Sequence, residues 1–306
     1  MTSNISTSIA GVSLRNPTIL AAGVLGLTAS SLLKVWRAGA GAVVTKSVGI
    51  EAREGYKNPT VVDVGCGLIN AMGLPNPGVE EFIEEIRTLK QWKPEVLIIA
   101  SVYGGALKDF VSTVDVIAQT PVDAIELNVS CPHVKKMGLE VGQDPVLLRE
   151  IIKSVKSIIG CPVFTKLSPN TSNIQQLASV IEAAGGDAVV AVNTLRAMAI
   201  NIETGRPILG NRIGGLSGPA LKPVALRCVY EIAQTVSIPV IGCGGIMNWQ
   251  DAVEYFYAGA HAVQIGTAIA YKELTIFNEI TNGIRAFLDL KGYQSVKEIV
   301  GLSLKY

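Results

Sequence analysis

Residues 127–134 read Leu-Asn-Val-Ser-Cys-Pro-His-Val and continue the run AIEL, which ends at Leu127. Asn128, Ser130, Cys131 and His133 bring an amide, a hydroxyl, a thiol and an imidazole together within six residues. A cysteine thiol, with a pKa of about 8.5, can take a proton once it is deprotonated or set near charge. The bland alternative is a small buried hydrophobe. Two lysines close other apolar stretches: Lys46 in VVTKS and Lys166 in FTKLS. A lysine there is costly if buried without an anionic partner. Either each pairs with a nearby carboxylate or snorkels to water, or both face an anionic ligand. Asn193-Thr194 ends a further run, AVNT. Two glycine turns, Gly242-Cys243-Gly244-Gly245 and Gly266-Thr267, each lead from an apolar run into a helical pattern.

These residues need elements to position them, and the elements recur along the chain. Short Val- and Ile-rich runs occupy 17–23, 41–47, 95–102, 123–130, 162–168, 187–193, 238–245 and 261–266. They barely alternate, as strands buried on both faces do. Amphipathic stretches such as VEEFIEEIRTLKQW, DPVLLREIIKSVKSI and KPVALRCVYEIAQTV separate them, and several stop at Gly or Gly-Ala. Eight strands alternating with helices predict an α/β fold, a (β/α)8 TIM barrel. An open doubly wound sheet is the competing architecture. STSIAGVSLRN predicts a small N-terminal hairpin closing the bottom of the barrel. The connections 48–78 and 194–220 are long loops at the C-terminal face, and loops of that length are usually functional. No linker or repeat interrupts 1–306, which reads as a single domain.

Active sites of such barrels lie at the C-terminal strand ends, with phosphate held after strands seven and eight. Lys46, Asn128 with Cys131, Lys166, Asn193-Thr194 and the two glycine turns all fall there. Glycine lets backbone N–H groups approach a phosphate, and the following helix N-terminus adds partial positive charge. One such turn is weak evidence, but two at the expected strands point to a phosphate. A phosphate, two cations and several amides suit a mononucleotide-like cofactor such as FMN. A lysine beside the isoalloxazine would stabilise the anionic reduced flavin, leaving the redox chemistry to the cofactor.

Composition narrows the partners. The chain has 306 residues, 49% of them hydrophobic, with Lys plus Arg 26 against Asp plus Glu 25. That balance gives no electrostatic reason to expect nucleic acid or an anionic membrane. The five cysteines include no C-x-x-C pair, so neither a disulfide framework nor an iron–sulfur site is expected within the chain, and a reducing cytoplasm fits. No metal-ligand spacing stands out. The N-terminal residues read as neither a signal peptide nor a membrane anchor. Cys161, Cys228 and Cys243 read as buried hydrophobes, while Cys66, in a glycine-rich loop, has no assignment.

The motifs VVTKS, INAMGLPNPG, LNVSCPHV, FTKLSPN, AVNT, GGLSGPALKPVALR, IGCGGI and AVQIGTA together span essentially the whole chain. In them the sequence resembles the class 1 dihydroorotate dehydrogenases, most closely the NAD-linked 1B catalytic subunits of archaeal type. The resemblance implies oxidation of dihydroorotate to orotate in pyrimidine biosynthesis, with hydride passed to FMN. It assigns Cys131 as the base that takes the C5 proton. It places Ala22, Lys46, Ser47, Ser101, Asn128, Lys166, Val192, Gly218, Gly244, Gly245, Gly266 and Thr267 against FMN. It places Lys46, Asn70, Ala71, Met72, Gly73, Leu74, Asn128, His133, Asn193 and Thr194 around the substrate. Close relatives often carry Ser at the position of Ala22 and Asn at that of Ser101. Many class 1 enzymes carry Asn where this chain has His133, which retains hydrogen-bonding capacity through its ring nitrogens.

In the 1B subgroup a second subunit with FAD and a [2Fe–2S] cluster relays electrons to NAD. The resemblance therefore implies a homodimer of this chain within a heterotetramer. The quinone-linked class uses serine as its base, so Cys131 argues against it. Three other enzyme readings stay open: reduction of uracil- or thymine-type rings as in dihydropyrimidine dehydrogenases, the fumarate-linked 1A enzymes, and a flavin-free barrel such as IMP dehydrogenase. NAMGLPNPG, which matches an orotate pocket, argues against the first.

Overall fold

The structure, a computed structural model, describes residues 3–129 and 139–306. Cys131 and His133 lie outside the described residues. Eight parallel strands close into a barrel: β1 (Thr18–Leu20), β2 (Ala42–Val44), β3 (Ile98–Val102), β4 (Ala124–Asn128), β5 (Val163–Leu167), β6 (Ala188–Ala191), β7 (Val240–Cys243) and β8 (Ala260–Ile265). Each strand pairs with its sequence neighbour, and β8 pairs with β1. Every apolar run singled out in the sequence holds one of these strands. Eight helices cover the outside: α1 (Ala29–Arg37), α2 (Val79–Trp92), α3 (Leu107–Ile117), α4 (Pro145–Lys156), α5 (Ile174–Ala183), α6 (Lys222–Ala233), α7 (Trp249–Tyr257) and α8 (Ile276–Lys291). The open doubly wound sheet is thereby excluded.

Local sequence sets the helix starts. Asp144 accepts hydrogen bonds from the N–H groups of Val146 and Leu147 ahead of Pro145, whose missing N–H costs nothing there. Thr28, Asn173 and Asn248 cap α1, α5 and α7 in the same way. No helix among the described residues is long and apolar enough to cross a membrane.

Strand side chains alternate, and the two faces build two cores. Outward residues such as Val43, Ile98, Ile125, Leu127 and Val163 join the helices in one large cluster. Inward residues Ile19, Val44, Ile99, Phe164, Val190 and Ile241 fill the lower barrel, and Ile9 and Leu14 close that end. Those two residues come from the hairpin Thr7–Ile9 and Val12–Leu14, as the sequence predicts.

The two long connections do not form separate loops. Val61–Asp63 and Leu68–Asn70, after β2, pair with each other. Gly214–Ser217, after β6, pairs with Leu68–Asn70 on one side and Leu195–Ala197 on the other. The result is one four-stranded antiparallel sheet over the C-terminal mouth of the barrel.

Candidate functional site

Between that sheet and the strand ends lies a cavity of about 430 Å³, within the range of small-molecule and cofactor sites. Its wall includes residues from the ends of β1, β2, β4, β5, β6, β7 and β8. A two-residue period explains which side chains reach it. Asn128 lies two positions beyond Glu126 and four beyond Ala124 on the inward face of β4. Lys166 follows Phe164 on β5, and Gln264 follows Ala262 on β8.

Of the residues expected against a flavin, Ala22, Lys46, Ser47, Asn128, Lys166, Val192, Gly218, Gly244, Gly245, Gly266 and Thr267 all line this one cavity. Ser101 stands behind it: fully buried, its hydroxyl lies 2.8 Å from that of Ser47. Of the residues expected around the substrate, Asn70, Met72, Gly73, Leu74, Asn193 and Thr194 line the cavity together with Lys46 and Asn128. Ala71 is fully buried beside the wall, its N–H donating to the Thr60 carbonyl at 2.8 Å.

The amides are held in fixed orientation. Asn128 Nδ2 donates to Ser47 Oγ at 3.0 Å, and Asn193 Nδ2 reaches Asn128 Oδ1 at 3.5 Å. Asn193 Oδ1 accepts from the Thr194 N–H at 2.8 Å. Lys46 is buried, and its Nζ donates to the Gly23 carbonyl at 3.3 Å. The segment 70–76 is pinned as well: Arg53 donates to the Gly73 carbonyl, while Asn76 donates to the Leu74 carbonyl and to the Tyr103 hydroxyl. Val129, at the end of β4, is packed against Gly142 of the short helix Leu139–Gln143. The two flanks of the segment carrying Cys131 and His133 therefore meet beside Asn128.

The turns after β7 and β8 form the opposite end of the cavity. Among the described residues, the N–H groups of Gly244, Gly245, Gly266 and Thr267 donate to no protein acceptor. The turn is anchored on its other side, where the buried Tyr255 hydroxyl donates to the Gly244 carbonyl at 2.6 Å. Gly245 has φ +68°, and a Cβ on it would meet the Lys222 nitrogen at 2.7 Å and the Gly218 carbonyl oxygen at 2.8 Å. Unbonded N–H groups converging next to helix starts are what a phosphate requires. This end thus fits the phosphate of FMN, and the lysines and amides fit its polar ring and a bound anionic substrate.

Sequence reasoning missed several wall residues. Ser217, Leu68 and Val61 reach the cavity through the mouth sheet, whose long-range pairing no local pattern reveals. Gln264 lines the cavity and Glu126 lies buried behind it. A charge or amide on the inward face of an otherwise apolar strand was the available signal for both. Cys243 departs from expectation in part. It packs against the inner barrel core as expected but also lines the cavity, and burial pushes its thiol pKa up. Cys228 is fully buried as expected, Cys161 is half-buried, and Cys66 is exposed at the tip between Asp63 and Leu68.

Comparison with known proteins places this architecture. The family model described as dihydroorotate dehydrogenase matches residues 4–288. The chain is 50% identical over 301 residues to a protein of Pyrococcus abyssi, covering 98% of this chain and 99% of that one. It is 51% identical over 302 residues to a protein of Pyrococcus furiosus, covering 99% of each. A Methanosarcina acetivorans protein is 49% identical over 297 residues, covering 97% of this chain and 95% of that one. All three relatives bear the name dihydroorotate dehydrogenase B (NAD(+)), catalytic subunit. With half its residues shared over nearly its full length, the chain belongs to the dihydroorotate dehydrogenase family.

Proposed function

We propose that this chain is an FMN-dependent oxidoreductase that converts dihydroorotate to orotate, as the catalytic subunit of an NAD-linked complex. The observation that carries the reading is the two-ended cavity. Backbone N–H groups without a partner among the described residues stand at one end, and Lys46, Asn128 and Asn193 stand at the other. The names of the relatives supply the substrate and the link to NAD.

FMN, when bound, supplies the acceptor for the hydride leaving C6 of dihydroorotate. Gly244, Gly245, Gly266 and Thr267 hold its phosphate. Ala22, Ser47, Lys166, Val192 and Gly218 line the space for the rest of it, and Ser101 fixes the Ser47 hydroxyl from behind. Asn128, held by Ser47, and Asn193, held by the Thr194 N–H, orient the pyrimidine ring with Thr194. Lys46 and the segment Asn70 to Leu74 receive the substrate from the side of the mouth sheet, and His133 completes that contact. Cys131 takes the proton from C5. It follows Asn128 by three positions, in a segment whose flanks converge at the rim. A thiolate is a competent base near neutral pH, where a serine would need further activation.

The electrons then leave the chain. The relatives are named as one subunit of an NAD-linked enzyme, so a partner carrying FAD and a [2Fe–2S] cluster would complete the route. The full assembly would be a dimer of this chain within a heterotetramer. The test is direct. The purified chain should be yellow, bleach anaerobically on adding dihydroorotate, pass electrons to an artificial dye, and reduce NAD poorly by itself. A colourless protein with no affinity for FMN would refute the reading. Fast fumarate reduction would place it among the fumarate-linked enzymes, and bleaching by dihydrouracil but not dihydroorotate would make it a pyrimidine-ring reductase.

A further inference from the structure

Lys166, assigned above to the flavin space, is tied to a buried polar layer beneath the cavity whose other members, Glu126 and Gln264, have no role assigned above. Lys166 Nζ donates to Gln264 Oε1 at 2.7 Å, and Gln264 Nε2 donates to Glu126 Oε2 at 2.5 Å. Lys166 Nζ also lies 3.6 Å from Glu126 Oε1, with the two side chains 4% and 0% exposed. That second carboxylate oxygen has no hydrogen-bond partner. Lys166 and Gln264 line the cavity, whereas Glu126 stands behind them. A buried ion pair rarely improves on apolar side chains of similar volume. An incompletely bonded carboxylate is worse still, because its desolvation is not fully offset. Stability therefore does not account for Glu126.

We propose that Glu126, directly and through Gln264, holds Lys166 as a permanent positive charge aimed into the cavity, so that Lys166 stays protonated in both redox states of the flavin. Two-electron reduction of the flavin then takes up one proton, at the ring, and none at the protein. The proposal rests on the FMN reading given above.

The surroundings of Lys166 support it. Burial works against the charged lysine, but the groups facing it outweigh burial and hold its pKa above the ordinary value. Those groups are Cys243 on β7, then Glu126 on β4, with the neutral Gln264 on β8, while β6 presents only Ala and Val. Burial pushes the Cys243 thiol up, against ionisation, and the carboxylate within reach of Lys166 Nζ is that of Glu126, 3.6 Å away. Burial without a partner lowers a lysine pKa by up to roughly 3–5 units, into the physiological range. Without Glu126, Lys166 would release its proton opposite the oxidised flavin and regain it on reduction.

The experiment counts protons. In the wild-type holoprotein, an indicator dye should show one proton taken up per two electrons between about pH 6 and 9. The reduction equilibrium should then change about tenfold per pH unit, or about 30 mV. Glu126→Gln keeps the side-chain shape and an acceptor for Gln264. It should take up close to two protons over part of that range and steepen the dependence toward a hundredfold per pH unit, about 60 mV. A variant with FMN bound and one proton per two electrons would overturn the proposal. So would two protons in the wild type, a result that needs no variant to fold. A wild-type chain that binds no FMN would instead remove the functional reading itself, before any variant is compared.

Discussion

Gly245 and Gly266 both occupy turns assigned to the phosphate, yet they are glycines for different reasons, and alanine at each should act differently. At Gly266 a Cβ would lie 3.4 Å from Val24 Cγ2 and 3.5 Å from the Ala21 Cβ, both ordinary contacts on the cavity wall. The fold has room for that methyl group, so the unfolding free energy of flavin-free Gly266→Ala should stay within about 0.5 kcal/mol of wild type. Bound phosphate would lose its close approach to the Gly266 and Thr267 N–H groups. A charge-assisted hydrogen bond contributes about 1.5–3 kcal/mol, so FMN affinity should fall roughly 10- to 100-fold. At Gly245 a Cβ meets backbone at 2.7 and 2.8 Å in a left-handed conformation. Left-handed backbone alone costs a non-glycine residue about 1–2 kcal/mol. Gly245→Ala should therefore destabilise the flavin-free protein itself by at least that amount. Urea unfolding of flavin-free protein and fluorescence titration with FMN separate the two effects. Wild-type FMN affinity in Gly266→Ala would refute the placement of the phosphate. An unchanged unfolding midpoint in Gly245→Ala would refute the close-approach argument.

Three further outcomes are expected. Cys131→Ala should retain FMN but slow its reduction by dihydroorotate by a factor on the order of 10²–10⁴; stopped-flow reduction at the wild-type rate would remove Cys131 as the base. Tyr255→Phe leaves the Gly244 carbonyl without its donor, which should cost about 1–3 kcal/mol of stability and weaken FMN binding, both read by the same two titrations. Burial pushes the Cys161 thiol up to about 11. Between its unfolded value, about 8.5, and that figure only the unfolded chain ionises, so stability should decline as pH rises through this window. The decline should be shallower in Cys161→Ala, and equal slopes for the two proteins would contradict it.

The barrel was legible because each strand announces itself as an apolar run, and most runs end in a polar residue or a glycine turn. Lys46, Asn128 and Lys166 stand out because a hydrophilic group interrupts an apolar pattern, and the structure gathers all three at one cavity. Glu126 and Gln264 carry the same signal, but Glu126 sits mid-strand and Gln264 is an uncharged amide, and neither suggests a role until the opposite strand is known. Their contact joins residues 138 positions apart, and such pairing is set by barrel closure rather than by local sequence. The mouth sheet was illegible for the same reason. Leu68–Asn70 and Gly214–Ser217 are short, and each needs the other as a partner. Cys243 looked apolar in its local run, and it does pack against the inner barrel core, but the two-residue period also carries its side chain up beside Lys166 at the cavity.

That mouth sheet also bears on why glycine clusters where it does. A Cβ on Gly245 would strike the Gly218 carbonyl, one on Gly218 would lie 3.0 Å from the Gly67 Cα, and one on Gly67 would run into the Ser217 carbonyl. Three backbone segments are therefore stacked in direct contact: the β7 turn, the lead into α6, and the hairpin after β2. Glycine at 67 and 218 serves this stacking, not only the approach of a phosphate. The stack links the two ends of the cavity, because Gly67 immediately precedes the strand Leu68–Asn70, whose last residue begins the segment assigned to the substrate. Close-packed backbone transmits displacement with little slack. The turns assigned to the phosphate and the wall assigned to the substrate are thus positioned against one another by main-chain contact, which long side chains with many rotamers could not do as tightly.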